Sequence, residues 1–171
     1  MFATEFFKNL DKSKDQDVVI SFVETVLPSV LFKTVYDKVF ISKEAKSAIT
    51  FSLESCHSKE TLSVLINDGC LCKANKKLQE LSYEFIGVFV KSSEKTFFEG
   101  NTEITEILVN QLLVGVDSVP RIKKASTEVF KEISSKIGKE KFEELLKASF
   151  KLEPSEEESK QDLPYDDAKV Q

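Results

Sequence analysis

The chain has 171 residues, a length typical of a single domain that can bury a hydrophobic core without disulfides. It is 41% hydrophobic and 31% charged, and its five glycines and four prolines are too few for the tight turns of an all-β sandwich or barrel. One histidine and no tryptophan, against 14 phenylalanines, leave few groups for catalysis. The composition favours an all-α protein and excludes a chain that is disordered throughout.

The net charge of −5 is concentrated at the C-terminal end of the sequence. From Glu153 onward seven acidic residues stand against Lys160 and Lys169, so this segment carries −7 + 2 = −5 and residues 1–152 sum to zero. A segment that acidic, with few apolar residues, cannot bury enough surface to offset its ordering entropy. We therefore predict a folded domain over residues 1–151 and a disordered acidic tail over residues 152–171.

The predicted helices form pairs that are joined by short polar turns. Residues 1–10 are predicted to be the second helix of an incomplete first unit. The first helices of the next three pairs are predicted over 22–33, 60–71 and 103–115, and their turns over 36–38, 73–76 and 117–120. Pro120 suits the first turn of a helix, where its missing N–H would be unpaired in any case. Gly138 ends the last second helix, and one more helix runs to about Phe150.

Three of the predicted second helices superimpose without gaps, starting at Ile41, Leu78 and Ile122. The small residues Ala45, Ser82 and Ser126 follow four positions later. Apolar residues follow seven and eight positions later: Ala48, Phe85 and Val129, then Ile49, Ile86 and Phe130. These positions share one helix face, and the small residue lets a neighbouring helix approach closely. The sequence therefore predicts a HEAT/armadillo-like α-solenoid of about three to four helical hairpins.

Stacked hairpins bring their inner turns to one edge of the molecule. We call this edge the turn ridge; it comprises the predicted turns 36–38, 73–76 and 117–120 together with the helix ends on either side of them. Because the units are equivalent, residues at these turns are expected to form one continuous surface.

The residues of these turns resemble a known family. A HEAT unit has an acidic or amide residue in the turn and an aliphatic and basic pair opening the second helix. This pattern is present as DSVPRIKKAS over 117–126 and as KANKKLQELS over 73–82. The stretch VLPSVL followed by KEAKSAI is similar to the TOG domain in the N-terminal part of the CLIP-associating proteins (CLASP). The resemblance covers Phe22 to Phe150; it lacks the first units of a complete TOG domain and the large aromatic of the first turn.

The resemblance implies binding of αβ-tubulin or microtubules through the turns, and regulation of microtubule dynamics or spindle organisation. It also implies a cytoplasmic, cytoskeletal location. The implied tubulin-binding residues are Lys38, Lys73, Asn75, Lys76, Lys77, Arg121, Lys123 and Lys124. A ridge of lysines would attract an acidic partner over a long range, and the attraction would weaken with added salt.

Other functions have weaker support in the sequence. A zinc site could be imagined from Cys56, His57, Cys70 and Cys72, whose side chains are all zinc ligand types. However, Cys70 and Cys72 are two positions apart, and on a helix such side chains point in different directions, so no metal or other cofactor is expected. No catalytic or phosphate-binding motif is present, and nothing in the sequence positions a nucleophile beside His57, so no enzyme is expected. The neutral folded part does not favour nucleic acid, and no segment suits a membrane. The alternative function is a generic HEAT or armadillo scaffold that binds another protein or a peptide.

Overall fold

The computed structural model describes residues 16–150, and these residues form helices with short turns and no β-strand among them. In chain order the helices are α1 (Gln16–Lys33), α2 (Val39–Ser55), α3 (Lys59–Val64, continued by a π-helical turn, Leu65–Cys70), α4 (Lys76–Ser92), α5 (Lys95–Gly100), α6 (Thr102–Val116), α7 (Pro120–Ile137) and α8 (Lys139–Phe150). The predicted all-α class is confirmed. The predicted helix over residues 1–10 and the predicted tail over 152–171 lie outside the described residues.

Three antiparallel hairpins form the body of the structure: α1 with α2, α3 with α4, and α6 with α7. The Ser42 hydroxyl at the start of α2 donates to the Thr34 carbonyl just after α1. Gln79 Nε2 in the first turn of α4 donates to the Cys70 carbonyl at 2.9 Å. Each first helix therefore ends where its partner helix begins, as the repeat predicts.

The hairpins stack in the same orientation, so that the second helices α2, α4 and α7 run parallel in one layer. Near the ends of α2 and α4, the Ser92 hydroxyl lies 3.1 Å from the Leu53 carbonyl oxygen. At the starts of α4 and α7, Arg121 pairs with Glu80 at 3.0 Å, and at their ends Lys136 Nζ donates to the Ser93 carbonyl at 2.8 Å. The first helices α1, α3 and α6 form the other layer, which α8 extends.

The small residue in each second helix is buried where the repeat predicts it. Ala45, Ser82 and Ser126 are all buried. In the second and third hairpins the serine faces a glycine of the first helix, Gly69 and Gly115 respectively. A Cβ atom on Gly115 would come within 3.1 Å of Ser126 Cβ and 2.7 Å of Tyr83 Cε1. Close helix approach at these positions is therefore a property of the structure.

Several local features differ from the predictions. The first helix of the second hairpin changes from α-helical to π-helical at Leu65, and the short helix α5 precedes the third hairpin. Cys72, expected on the same helix as Cys70, lies in the turn before α4, and Cys56 follows the end of α2. In contrast, α7 ends at Gly138 as predicted, with a φ of 90°, a conformation that favours glycine. In the part of the chain that the structure describes, no helix is long and apolar enough to cross a bilayer.

Candidate functional site

The structure places the predicted turns at the starts of three parallel neighbouring helices, and therefore along one edge. The first turn leads into α2, the second into α4 and the third into α7. All the predicted lysines and Arg121 are exposed, and Asn75 is half-buried. The turn ridge therefore exists as a continuous edge, and the predicted residues lie along it.

At the first turn, Lys38 occupies the position before the first residue of α2, without a side-chain cap to the helix. The Lys33 ammonium lies 4.8 Å from the centre of the Tyr36 ring, within range of a cation–π contact. Next to Lys38, Val39 is 80% exposed and Phe40 is 75% exposed. The first turn therefore combines cationic and apolar side chains.

At the second turn, Asn75 has a structural role. Its side-chain oxygen accepts a hydrogen bond from the Leu78 N–H at 3.0 Å, which satisfies one of the free donors at the start of α4. Lys73 precedes this cap, while Lys76 and Lys77 follow it in the first turn of the helix. The Asn75 amide is thus held against its own helix and fixes the backbone from which these lysines project.

The third turn is connected to the second by an ion pair. Arg121 Nη1 lies 3.0 Å from Glu80 Oε2, which joins the start of α7 to α4. Among the described residues, no other predicted basic residue of the turn ridge takes part in an ion pair. Pro120 is the first residue of α7, as expected from the sequence. Lys123 and Lys124 are exposed in the first two turns of the same helix.

The charge of the turn ridge is strongly positive. Residues 33–43, 73–80 and 117–124 carry nine basic residues and three acidic ones. The first turns of α2, α4 and α7 contain no acidic residue, although helix starts favour negative charge. In contrast, α3, α6 and α8 each carry a glutamate in their first turn, at Glu60, Glu103 and Glu140. The basic first turns raise the positive potential of the ridge at some cost in helix stability.

The structure adds apolar residues to the turn ridge that sequence reasoning did not single out. Most of the large exposed hydrophobic side chains in the described region lie at or next to the three turns: Phe32, Tyr36, Val39, Phe40, Leu71, Val114 and Val119. Val39 and Phe40 stand directly before Ile41, which starts the repeat, and fall outside its apolar face. The sequence signal that could have identified them is this pair of consecutive large apolar residues, which lies outside the periodic apolar face.

His57 lies at the edge opposite the turn ridge, and the structure gives it a partner that the sequence did not indicate. Its Nε2 is 2.9 Å from the Ser92 hydroxyl, and its ring packs edge-on against Phe89 with centroids 5.6 Å apart. The same hydroxyl also lies within 3.1 Å of three backbone carbonyl oxygens, including that of Val88. Ser92 is the last residue of α4, whereas Leu53 and His57 lie at and just after the end of α2. The Ser92 hydroxyl therefore joins the ends of these two helices.

The cysteines do not come together with other ligand types. In the part of the chain that the structure describes, no group of three histidine, cysteine or acidic side chains is arranged to hold a metal ion. Cys70 is buried, and this burial raises the pKa of its thiol well above the ordinary value. Cys56 and Cys72 are half-buried.

A separate cleft of about 540 Å³ opens between α1, α3 and the start of α6. Its lining includes Glu24, Glu60 and Glu103, together with Lys59. The cleft lies among the first helices and shares no lining residue with the turn ridge, so the two surfaces can be tested separately.

No family model, no curated protein and no solved structure matches this chain. The resemblance to a TOG domain is carried only by the residues quoted for it.

Proposed function

We propose that this chain is a tubulin-binding, TOG-like module that regulates microtubule dynamics or spindle organisation in the cytoplasm, without catalysis. The observation that carries the proposal is the shared edge of the three inner turns. Lys38, Lys76 and Arg121, from three separate hairpins, all project from the starts of parallel helices. One flat partner surface could contact all three turns at once.

Electrostatics supports a strongly acidic partner such as tubulin. Nine basic residues against three acidic ones give the turn ridge a positive potential, and the three helix starts add to it. Exposed charges of this kind raise the association rate more than they lengthen the lifetime of a complex. Binding should therefore weaken steeply with salt, because charges farther apart than about 10 Å are screened at 0.1 M ionic strength.

The exposed apolar residues support a contact that excludes water. Val39 and Phe40 expose most of their surface, and burying such side chains in a partner would contribute about 1.5–3 kcal/mol each. An apolar centre surrounded by charges is the usual arrangement of a protein interface. The first turn thus offers an anchor, and the lysines of the other turns offer orientation.

Charge reversal on the turn ridge tests the proposal. The variant Lys73→Glu, Lys76→Glu, Arg121→Glu, Lys124→Glu should lose co-pelleting with microtubules and co-elution with tubulin dimers on size exclusion. The reversals remove one exposed ion pair, Arg121–Glu80, which is worth at most about 1 kcal/mol, so the helical circular dichroism should be unchanged.

A matched control reverses four exposed lysines at the opposite edge, namely Lys59, Lys91, Lys95 and Lys139. This control changes the net charge by the same amount and should retain binding. Tubulin binding that survives the ridge reversals, or that both variants lose equally, contradicts the proposal.

The cleft favours the alternative function, a helical scaffold that binds a protein or peptide. Its glutamates would suit a basic segment in an extended conformation. The double variant Glu60→Lys, Glu103→Lys should leave tubulin binding intact if the turn ridge is the working surface. If the cleft is the working surface, the same variant should lose its partner while the ridge variant keeps it.

A further inference from the structure

The turn ridge is both apolar and cationic, so it fits an occupant that is both apolar and anionic. Around the first turn, Val39 and Phe40 are exposed next to Lys38, and Lys33 and Lys43 lie close by along the chain. No residue in the described part of the chain covers these two apolar side chains. An occupant would gain apolar burial and charge pairing from the same surface.

The sequence itself contains a segment of this complementary kind. In residues 152–171, which lie outside the described region, the run DLPYDD over 162–167 places Leu163 and Tyr165 among three aspartates. Pro164 between them restricts the backbone and favours an extended conformation. A further acidic run, EEE over 156–158, precedes this motif. The segment thus carries two apolar residues with negative charge on both sides of them.

The last described helix brings the chain back toward the turn ridge. Gly138 lies at the opposite edge, where α7 ends. The Phe142 ring packs against the Phe130 ring with centroids 5.7 Å apart, so α8 runs back along α7. Its 12 residues rise about 18 Å in that direction, at about 1.5 Å per residue. Helix α8 therefore ends on the side of the molecule that carries the third turn.

The length of the segment is sufficient to reach the first turn. Neighbouring helix axes are about 8–10 Å apart, so α2 and α7, with α4 between them, are separated by roughly 20 Å. From Phe150 to Leu163 there are 13 residues, which span about 40 Å when extended. The acidic run at 156–158 would then pass the lysines of the second and third turns.

We propose that the acidic segment 152–171 docks on the turn ridge of its own chain, with Leu163 and Tyr165 against Val39 and Phe40. The occupant is favoured by its charge, by its two apolar residues and by the place where α8 ends. The contact competes for the surface that an external acidic partner would use. It does not depend on the identity of that partner, and it can be tested without tubulin.

The test is an NMR comparison of full-length chains at about 0.02 M salt, where charge pairs are screened least. The variant Leu163→Ser, Tyr165→Ser should shift the backbone amide signals of residues 36–43. The reciprocal variant Phe40→Ser should shift the signals of residues 162–167. Raising the salt to about 0.5 M should move the wild-type signals toward those of the variants.

Matched controls separate docking from local effects. Ala168→Ser with Val170→Ser changes the same segment outside the motif and should leave residues 36–43 unshifted. Ile107→Ser changes an exposed apolar residue in the cleft and should leave residues 162–167 unshifted. The proposal is overturned if the first two variants produce no reciprocal shifts. Shifts that depend on protein concentration assign the contact to a second copy and also overturn it.

Discussion

Ser82 of α4 and Gly69 of the preceding helix touch so closely that a Cβ atom added to the glycine would lie 2.6 Å from the serine Cβ. The third hairpin repeats the relationship with Ser126 and Gly115. A glycine facing a serine lets the two helices of a hairpin approach until their backbones nearly touch. This contact sets the spacing of the two helices within the second and third hairpins.

Gly115→Ala should lower the free energy of unfolding by about 1–3 kcal/mol, because its new methyl group would overlap Ser126 and the buried Tyr83 ring. The matched control is Gly87→Ala in α4, where the new Cβ would meet only Val129 Cγ2 at an ordinary 3.5 Å. The control should gain up to about 1 kcal/mol from improved helix propensity. Urea unfolding measures both; equal effects would show that the close approach in the third hairpin is unimportant.

Ser126→Ala should leave stability unchanged or raise it by about 1 kcal/mol. In the described region the Ser126 hydroxyl is the buried side-chain group without a hydrogen-bond partner, and an unpaired buried hydroxyl is unfavourable. Ser82 is the matched comparison, because its hydroxyl donates to the Leu78 carbonyl at 2.8 Å. Ser82→Ala should therefore be the less favourable of the two in chemical denaturation, and the opposite order would contradict the assignment.

Substitutions at Asn75 should separate its structural role from the charge of the turn ridge. Asn75→Ala removes the cap on Leu78 and should cost about 1 kcal/mol of stability. Asn75→Asp keeps the cap and places a negative charge at the start of α4, so stability should be retained or increased. Tubulin binding should nevertheless weaken for the aspartate variant, measured as co-pelleting across a salt series. Unchanged binding at low salt would separate this turn from the interface.

Phe40→Ala should change the free energy of unfolding by no more than about 0.5 kcal/mol, because the side chain is 75% exposed. If Phe40 is the apolar anchor of the ridge, tubulin affinity should fall about tenfold or more. Ile107→Ala, at an exposed apolar position in the cleft away from the turn ridge, serves as the control and should have a smaller effect. Equal affinity of all three proteins would remove Phe40 from the proposed contact.

The buried pair of Tyr83 and Gln111 should produce a pH-dependent loss of stability. The Tyr83 hydroxyl donates to the backbone carbonyl of Gln111 at 3.1 Å and accepts from the side-chain Nε2 of Gln111 at 2.7 Å. Burial raises the pKa of Tyr83 from 10.0 to about 12. Above about pH 10 the unfolded chain loses this proton while the folded chain keeps it, so the free energy of unfolding falls as pH rises through this range.

Tyr83→Phe is the variant that isolates this titration. At neutral pH it should be destabilised by about 1–3 kcal/mol, because the Gln111 amide loses its buried partner. Its stability should fall less steeply than that of the wild type between about pH 10 and about pH 12. Parallel urea midpoints for the two proteins over this range would show that Tyr83 does not carry the effect.

Periodicity determined much of this architecture, because each second helix must bury one face at fixed spacing. The register from Leu78 to Ser82 and Ile86 is confirmed, as are the turns before α4 and α7 and the start of α7 at Pro120. The lysines of the turns were also visible, since short polar stretches between apolar helices stay exposed. The role of those lysines in tubulin binding remains a prediction.

Other features depended on contacts between residues far apart in the chain, and no local pattern could predict them. The pairing of His57 with Ser92 and of Tyr83 with Gln111 exists only because separate hairpins stack at particular heights. The π-helical turn Leu65–Cys70 likewise lies where the helix meets α4. The exposure of Val39 and Phe40 was decided in the same way, because composition marks a residue as apolar but only the arrangement of neighbouring helices determines whether it is covered.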